Sequence, residues 1–183
     1  MTAILKVDTI QDTSGNNIIN ENANTITIGK AGDTTNIVGT LQNDGAALVT
    51  GKVLQVLSAT DSSERATTST SFVTASNTLT VNITPSSTSS KIFLNATGAF
   101  GGGVGFMYTT IFRGATDLGY SSEGITQYNN SDGRIIPFAM SILDSPNSTS
   151  EQTYQVYFRR YDSSATSILA ATKKTITAFE ITG

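Results

Sequence analysis

The chain reads as an all-β protein: a short-strand fibrous stalk over residues 1–50, then an antiparallel, jelly-roll-like β-sandwich head over residues 51–183, assembled as a trimer. Three observations predict this. Apolar clusters of one to three residues recur every seven to eleven positions between Asn17 and Val49. Longer segments with strict apolar/polar alternation follow from Gly51 at roughly even spacing, with turn residues between them and no helical period. Charged residues are only 14% of the chain, while serine and threonine supply about a quarter of it, the neutral hydroxyls suited to the solvent face of a sheet.

In the first part the clusters are Ile18-Ile19, Ile26 and Ile28, Ile37-Val38, Leu41 and Leu48-Val49, separated by turns such as Gly29-Lys30-Ala31-Gly32-Asp33 and Asn43-Asp44-Gly45. A strand of two or three residues offers one or two side chains to a core, too little to offset the entropy of ordering it. Such rungs need copies of themselves. Identical chains wound on one axis, most simply three, would bury each Ile or Val against its counterparts and pair the sheet edges between chains. The opening residues, with Ile4, Leu5 and Val7 ahead of the turn Thr13-Ser14-Gly15-Asn16, read as an attachment end that docks on another protein, or as a first rung. Residues 1–50 hold Lys6 and Lys30 against Asp8, Asp12, Glu21, Asp33 and Asp44, whereas the remainder is charge-neutral; this shift supports the boundary near Thr50-Gly51.

The head begins with a strand over Lys52–Ser58. A second is expected over Ser71–Ile83, with Leu79, Val81 and Ile83 on one face and Thr78, Thr80 and Asn82 on the other. The turn Pro85 to Ser90 leads into Lys91–Thr97, and the glycine-rich run Gly98–Gly105 into Phe106–Arg113. Residues Asp117 to Ser131 read as loop. Arg134–Leu143 is the most apolar strand, with Pro137 marking an edge, a strand start or a bulge. After the turn Asp144-Ser145-Pro146-Asn147, Thr153–Tyr161 sets Tyr154, Val156 and Phe158 against Gln155, Tyr157 and Arg159. Ser167–Ala171 and Thr175–Ile181 close the chain, the latter expected in mid-sheet or along an oligomer axis. Eight or so strands of this kind make a sandwich, for which a jelly roll is the most economical topology.

Disorder is excluded by a 38% hydrophobic content in regular strands. A net charge of −3 and a pI near 4.8 argue against nucleic acid. No apolar run is long enough to span a membrane, and the first residues lack a signal-peptide layout, so a soluble protein outside the general export route is expected. The chain has no Cys, His or Trp, which removes disulfides, thiolate sites, His-dependent relays and His-ligated zinc.

Several phrases carry a resemblance: Lys6-Val7-Asp8-Thr9-Ile10-Gln11-Asp12-Thr13-Ser14-Gly15-Asn16, Gly32 to Leu41, Thr84 to Ile92, and Leu143-Asp144-Ser145-Pro146. Together they resemble virion structural proteins of tailed bacteriophages that infect marine bacteria such as cyanobacteria. The resemblance implies a virion protein with an N-terminal fibrous segment and a β-sandwich head. Its place is either a trimeric tail fibre for host attachment or a capsid-decorating head fibre, held to other virion proteins through the N-terminal segment. The expected ligand of a fibre is a host-surface glycan or protein.

The candidate sites are weighed in that light. Gly98–Gly105 lacks the Gly-Lys-Ser/Thr ending and following helix of a phosphate loop, so it reads as a connection or a close backbone approach. Asn129-Asn130-Ser131-Asp132-Gly133 offers one carboxylate where calcium sites use several, and reads as a turn. Glu123, Asp132, Asp144, Glu151 and Asp162 are isolated acids with no pairing that would support glycoside hydrolysis, and no enzyme, cofactor or metal is expected. Arg159 and Arg160, near Tyr157 and Tyr161, have the chemistry to stack on sugars or grip an anionic glycan, but they face opposite sides of a strand and read rather as solvated or inter-subunit ion pairs. The best ligand-contact residues are Tyr120, Tyr128, Asn129, Asn130 and Asp132, in a Ser/Gly/Asn-rich stretch like adaptable binding loops.

Overall fold

The computed structural model describes residues 52–102, 105–162 and 166–182, except the side chain at 167, together with the backbone of residues 42–43 and 46–47. The chain divides into two units, Met1–Val49 and Thr50–Gly183. In the first, β1 (Gln42–Asn43) pairs antiparallel with β2 (Ala46–Ala47) across the Asp44-Gly45 dipeptide. The other rungs and turns expected before residue 50, and the attachment end, lie outside the described residues.

The second unit is all-β and antiparallel, with no helix among the described residues. Its strands are β3 (Val53–Asp61), β4 (Arg65–Thr67), β5 (Val73–Thr74), β6 (Thr80–Ile83), β7 (Lys91–Phe100), β8 (Gly105–Arg113), β9 (Thr116–Asp117), β10 (Thr126–Asn130), β11 (Ile136–Asp144), β12 (Gln152–Arg160), β13 (Ser167–Leu169) and β14 (Lys174–Ile181). Sheet I runs β3–β14–β7–β11, with β4 and β13 continuing the lines of β3 and β14. In sheet II, β12 takes β5 and β6 along one edge and β8 along the other, and β8 carries β9 and β10 on its far edge.

Alternation sends one residue in two inward, and the inward sets of the two sheets form a common core. Ile92, Leu94, Ile176, Ala178 and Met140 from sheet I meet Leu79, Val81, Ile83, Ile111, Val156 and Phe158 from sheet II. The expected alternations over Leu79–Ile83 and Tyr154–Phe158 are therefore borne out. Pro137 is the second residue of β11, which among the described residues pairs only with β7, so the proline sits in an edge strand. The last strand, β14, lies in mid-sheet between β3 and β7.

Two expectations are corrected. The Ser71–Ile83 segment is not one strand: between β5 and β6 the Ser76 hydroxyl accepts from the Thr78 N–H at 3.2 Å, and this local bond diverts the backbone from the ladder. The stretch read as loop over Asp117–Ser131 contains β10, paired with β8 from Thr126↔Thr109 to Asn130↔Gly105. Its polar residues Thr126, Gln127, Asn129 and Asn130 hide a strand whose inward apolar contribution is Tyr128 alone.

Buried polar groups hold the sheet I side together. Fully buried Glu180 accepts from the Ser86 N–H (2.6 Å), the Ser86 and Ser90 hydroxyls (both 2.7 Å) and Gln55 Nε2 (2.6 Å). Burial by itself would raise its pKa, but these donors outweigh it and hold the carboxyl down at about 2. Where β13 breaks from β14, Lys174 Nζ donates to the carbonyls of Ser63 (2.7 Å), Ala170 (3.0 Å) and Thr172 (3.2 Å). Asp61 stands opposite Lys174 in the register; burial opposes its charge, yet the Ser63 N–H, Ser76, Arg65 and the nearby ammonium bring it down to about 2. Between the sheets, Arg113 Nη1 donates to both oxygens of Asp144 (2.9 and 2.8 Å), and the Tyr154 hydroxyl adds a bond of 2.6 Å.

Candidate functional site

The side-chain constellation best suited to contact another molecule lies on the outward face of sheet II. In β8 the outward residues are Phe106, Tyr108, Thr110 and Phe112, and β12 sets Arg159, Tyr157 and Gln155 beside the last three. Aromatic residues on both strands pack across the ladder: Phe112 and Tyr157 ring centres are 4.2 Å apart, and Phe72 adds an edge contact to Phe112 at 6.0 Å. At the other end, Phe106, Tyr108 and Tyr161 form a triangle with centroid separations of 5.8, 6.4 and 6.5 Å.

Tyr108 is the buried base of that triangle, and burial raises its hydroxyl pKa, so it stays a neutral phenol. Phe106 is 41% exposed and Tyr161 61% exposed. Beside them the β10 register places Asn129 opposite Phe106 and Gln127 opposite Tyr108, both exposed. The surface therefore presents aromatic ring faces flanked by carboxamides. Ring faces accept the C–H side of a sugar or an apolar peptide group, and amides pair with hydroxyls as both donor and acceptor. Among the described residues there is no pocket, and no three acidic, His or Cys side chains converge to hold a metal.

Arg159 organises this face from below. Its guanidinium lies 4.2 Å from the Tyr108 ring centre and 5.4 Å from that of Phe72. Its Nε donates to the Ser122 carbonyl at 2.6 Å and Nη2 to the same oxygen, while Nη1 reaches the carbonyls of Thr70 (3.3 Å) and Arg160 (2.6 Å). The arginine thus straps the segments around Phe72 and Ser122 onto the sheet. Expecting Arg159 and Arg160 on opposite sides of the strand is right, but expecting them in solvated pairs is corrected, since both are buried. Arg160 pairs with Met107 across the ladder, and its guanidinium fills the space over Gly105, where an added Cβ would lie 2.4 Å from Nη2. Gly105 has φ +98°, so both backbone and space require glycine, although the close neighbour is a side chain and not the approaching backbone expected for this run.

The five residues expected to contact a ligand are not one site. Tyr128 points inward, opposite Met107, and stacks on the core Phe100 ring at 6.2 Å and 14°. Asn130 is fully buried and shapes its turn, donating to the Arg134 carbonyl at 3.0 Å and accepting from the Asp132 N–H at 3.3 Å. Asp132 pairs with Arg134 at 2.6 Å on that turn. Asn129 alone lies beside Phe106. Tyr120 is largely exposed at the tip of the 118–125 loop, which closes through its N–H to the Gly124 carbonyl at 3.0 Å. Asp117 Oδ1 supports that loop by accepting from the Thr110 hydroxyl (2.6 Å) and the Gly119 N–H (2.8 Å).

Phe106 and Gln127 were missed because composition draws attention to Asn/Gly/Ser loops, while these residues belong to strand faces; Tyr161, just past β12, entered the reading only beside Arg159 and Arg160. The alternation Phe106/Tyr108 against Met107/Thr109 was the available signal, and pairing with β10 decided which half faces water. No protein-family model matches the chain, and no curated protein matches it in sequence.

Proposed function

We propose that the chain is a structural protein of a tailed-bacteriophage particle, a trimeric fibre whose jelly-roll heads attach to the host surface. The observation that carries the attachment role is the exposed Phe106–Tyr161 platform with Asn129 and Gln127 at its border, on the paired strands β8 and β10. Such rigid amphipathic aromatics gain contact energy at low entropic cost, and a handful of them dominates most interfaces. The strand order supports the jelly roll. With β3/β4 counted as first, β5/β6 second and β13/β14 eighth, sheet I reads first–eighth–third–sixth and sheet II second–seventh–fourth–fifth. The virion assignment rests on the resemblance of Lys6–Asn16 and the other quoted phrases, and trimerisation on the short rungs before residue 50. Three heads on one axis turn a weak contact into useful avidity, because the second and third engagements occur at high effective concentration.

The test is adsorption of the purified full chain to host cells, and competition with infecting phage. The wild-type chain is expected to bind and to reduce infection. Phe106→Ala with Tyr161→Ala should lower binding by roughly tenfold per head engaged, about 1.4 kcal/mol, with an unchanged melting temperature. Cells that ignore the wild-type protein would point instead to a capsid-decorating role, in which the head recognises nothing and the N-terminal segment binds the capsid lattice.

A further inference from the structure

We infer that the outward face of sheet I along β3 is the contact between copies of this chain; this rests on the trimer proposed above. The register aligns Val56, Phe179, Phe93 and Leu143 in one outward row across all four strands, and Val53 and Ile181 extend it toward the start of the head. Phe93 and Phe179 touch at 6.0 Å, while Val56 and Leu143 at the two ends are 51% and 57% exposed. A register shift between Glu180 and Ile181 skips Leu54 and brings Val53 opposite Ile181, adding one more apolar residue to the band. The next outward row on the same face is polar throughout: Ser58, Thr177, Asn95 and Ser141, bonded in pairs at 3.1 and 3.0 Å. The apolar band is thus a local feature of an otherwise hydroxyl-covered face.

Among the described residues β3 is also the end strand of its sheet, and Leu54 and Leu57 are exposed on it. A long apolar edge strand open to water recruits other chains unless something covers it. The occupant is a second copy for two reasons. First, residues 1–51 join the head here: Lys52 N–H donates to Thr182 Oγ1 at 3.1 Å, and Thr182 N–H to the Lys52 carbonyl at 3.0 Å. At about 3.3 Å per extended residue, Val56 lies within roughly 17 Å of Gly51. In chains gathered ahead of Lys52, β3 is the first strand of each head after the junction. Second, residues beside a three-fold axis meet their own counterparts, where like charge would repel, and none of the six band residues is charged; the one cation in their rows, Lys91 beside Ile181, has its Nζ donating to Ser145 Oγ at 2.8 Å.

The absence of native cysteine makes the test clean. Leu143→Cys and, as an open control on sheet II, Thr153→Cys are made separately in the full chain, and maleimide labelling rates are measured beside the light-scattering mass. The expected result is a mass of three 19.2 kDa chains, with the Leu143→Cys thiol labelled at least tenfold more slowly than the Thr153→Cys thiol. Val56→Arg with Leu143→Arg should weaken the assembly at least tenfold, with folding verified by circular dichroism. A three-chain mass with both thiols labelled equally fast overturns this interface while leaving the trimer standing. A single-chain mass overturns both, and a protected Leu143→Cys thiol in that lone chain would mean that residues 1–51 cover their own band.

Discussion

On sheet I the outward row Val56–Phe179–Phe93–Leu143 lies open at both ends, whereas on sheet II the outward aromatics of β8 and β12 largely disappear beneath the chain's own segments around Phe72 and residues 118–125. The strands are of the same kind and share one core. The difference is a strap: Arg159 ties two excursions of sheet II down through backbone carbonyls, and sheet I has no counterpart among the described residues. A face covered in this way is finished within one chain, and only its margin, Phe106 and Tyr161, remains available for an outside molecule. An apolar face left uncovered is a requirement for a partner. The two faces thereby match the two proposed tasks, sister copies on sheet I and a ligand on the rim of sheet II.

Acid should separate the two faces most strongly. Glu180 and Asp61 both serve the sheet I side, and both hold their pKa values down at about 2 from ordinary values of 4.5 and 3.8. Unfolding raises those pKa values, so the stabilisation is complete above about pH 4.5 and is lost as the pH falls toward 2. At 1.36 kcal/mol per unit this amounts to about 3 kcal/mol for Glu180 and about 2 kcal/mol for Asp61. The Arg159 strap ends on the backbone carbonyls of Ser122 and Thr70, acceptors that acid leaves unchanged. Hydrogen exchange between pH 5 and pH 2, corrected for intrinsic rates, should open β14 and the Ser86–Ser90 turn before the 118–125 loop. Simultaneous opening would erase the distinction.

Breaking the strap is the next largest effect. Arg159→Met leaves the carbonyls of Ser122, Thr70 and Arg160 without this donor and removes the cation over Tyr108. A loss of about 3 kcal/mol in denaturant unfolding is expected, together with protease cleavage within residues 118–125. A variant as stable as the parent would show that packing alone covers sheet II. The smallest effect belongs to the hydroxyl row of sheet I: Thr177→Val removes one exposed bond to Ser58 and should change stability by less than about 0.5 kcal/mol. A larger change by the same unfolding measurement would mean that copies also meet over this row.

Much of the sandwich was legible because burial follows a period of two. Tyr154, Val156 and Phe158 declared their face, Pro137 left an edge, a strand start or a bulge open, and the terminal position of Thr175–Ile181 pointed to mid-sheet or an oligomer axis. β10 stayed hidden because its backbone pairing with β8 needs no apolar sequence. The candidate site was read less well. Tyr128 and Asn130 look like loop recognition residues, but one fills the core and the other satisfies its own turn, and both fates depend on β8, some twenty residues away. Glu180 gave no local sign of its role either, since its donors come from Gln55, Ser86 and Ser90.

Local alternation and turn chemistry determined by themselves that residues after Gly51 form a series of antiparallel strands, most of them with one apolar face. Only the tertiary structure decided what lies on the second face, because that depends on register between strands distant in sequence. Pairing aligned Val56, Phe179, Phe93 and Leu143 into one open row, and pairing with loop return set Arg159 under Phe72 and Tyr108. A periodicity specifies which residues share a side of one strand; only the sheet specifies which neighbours they meet there.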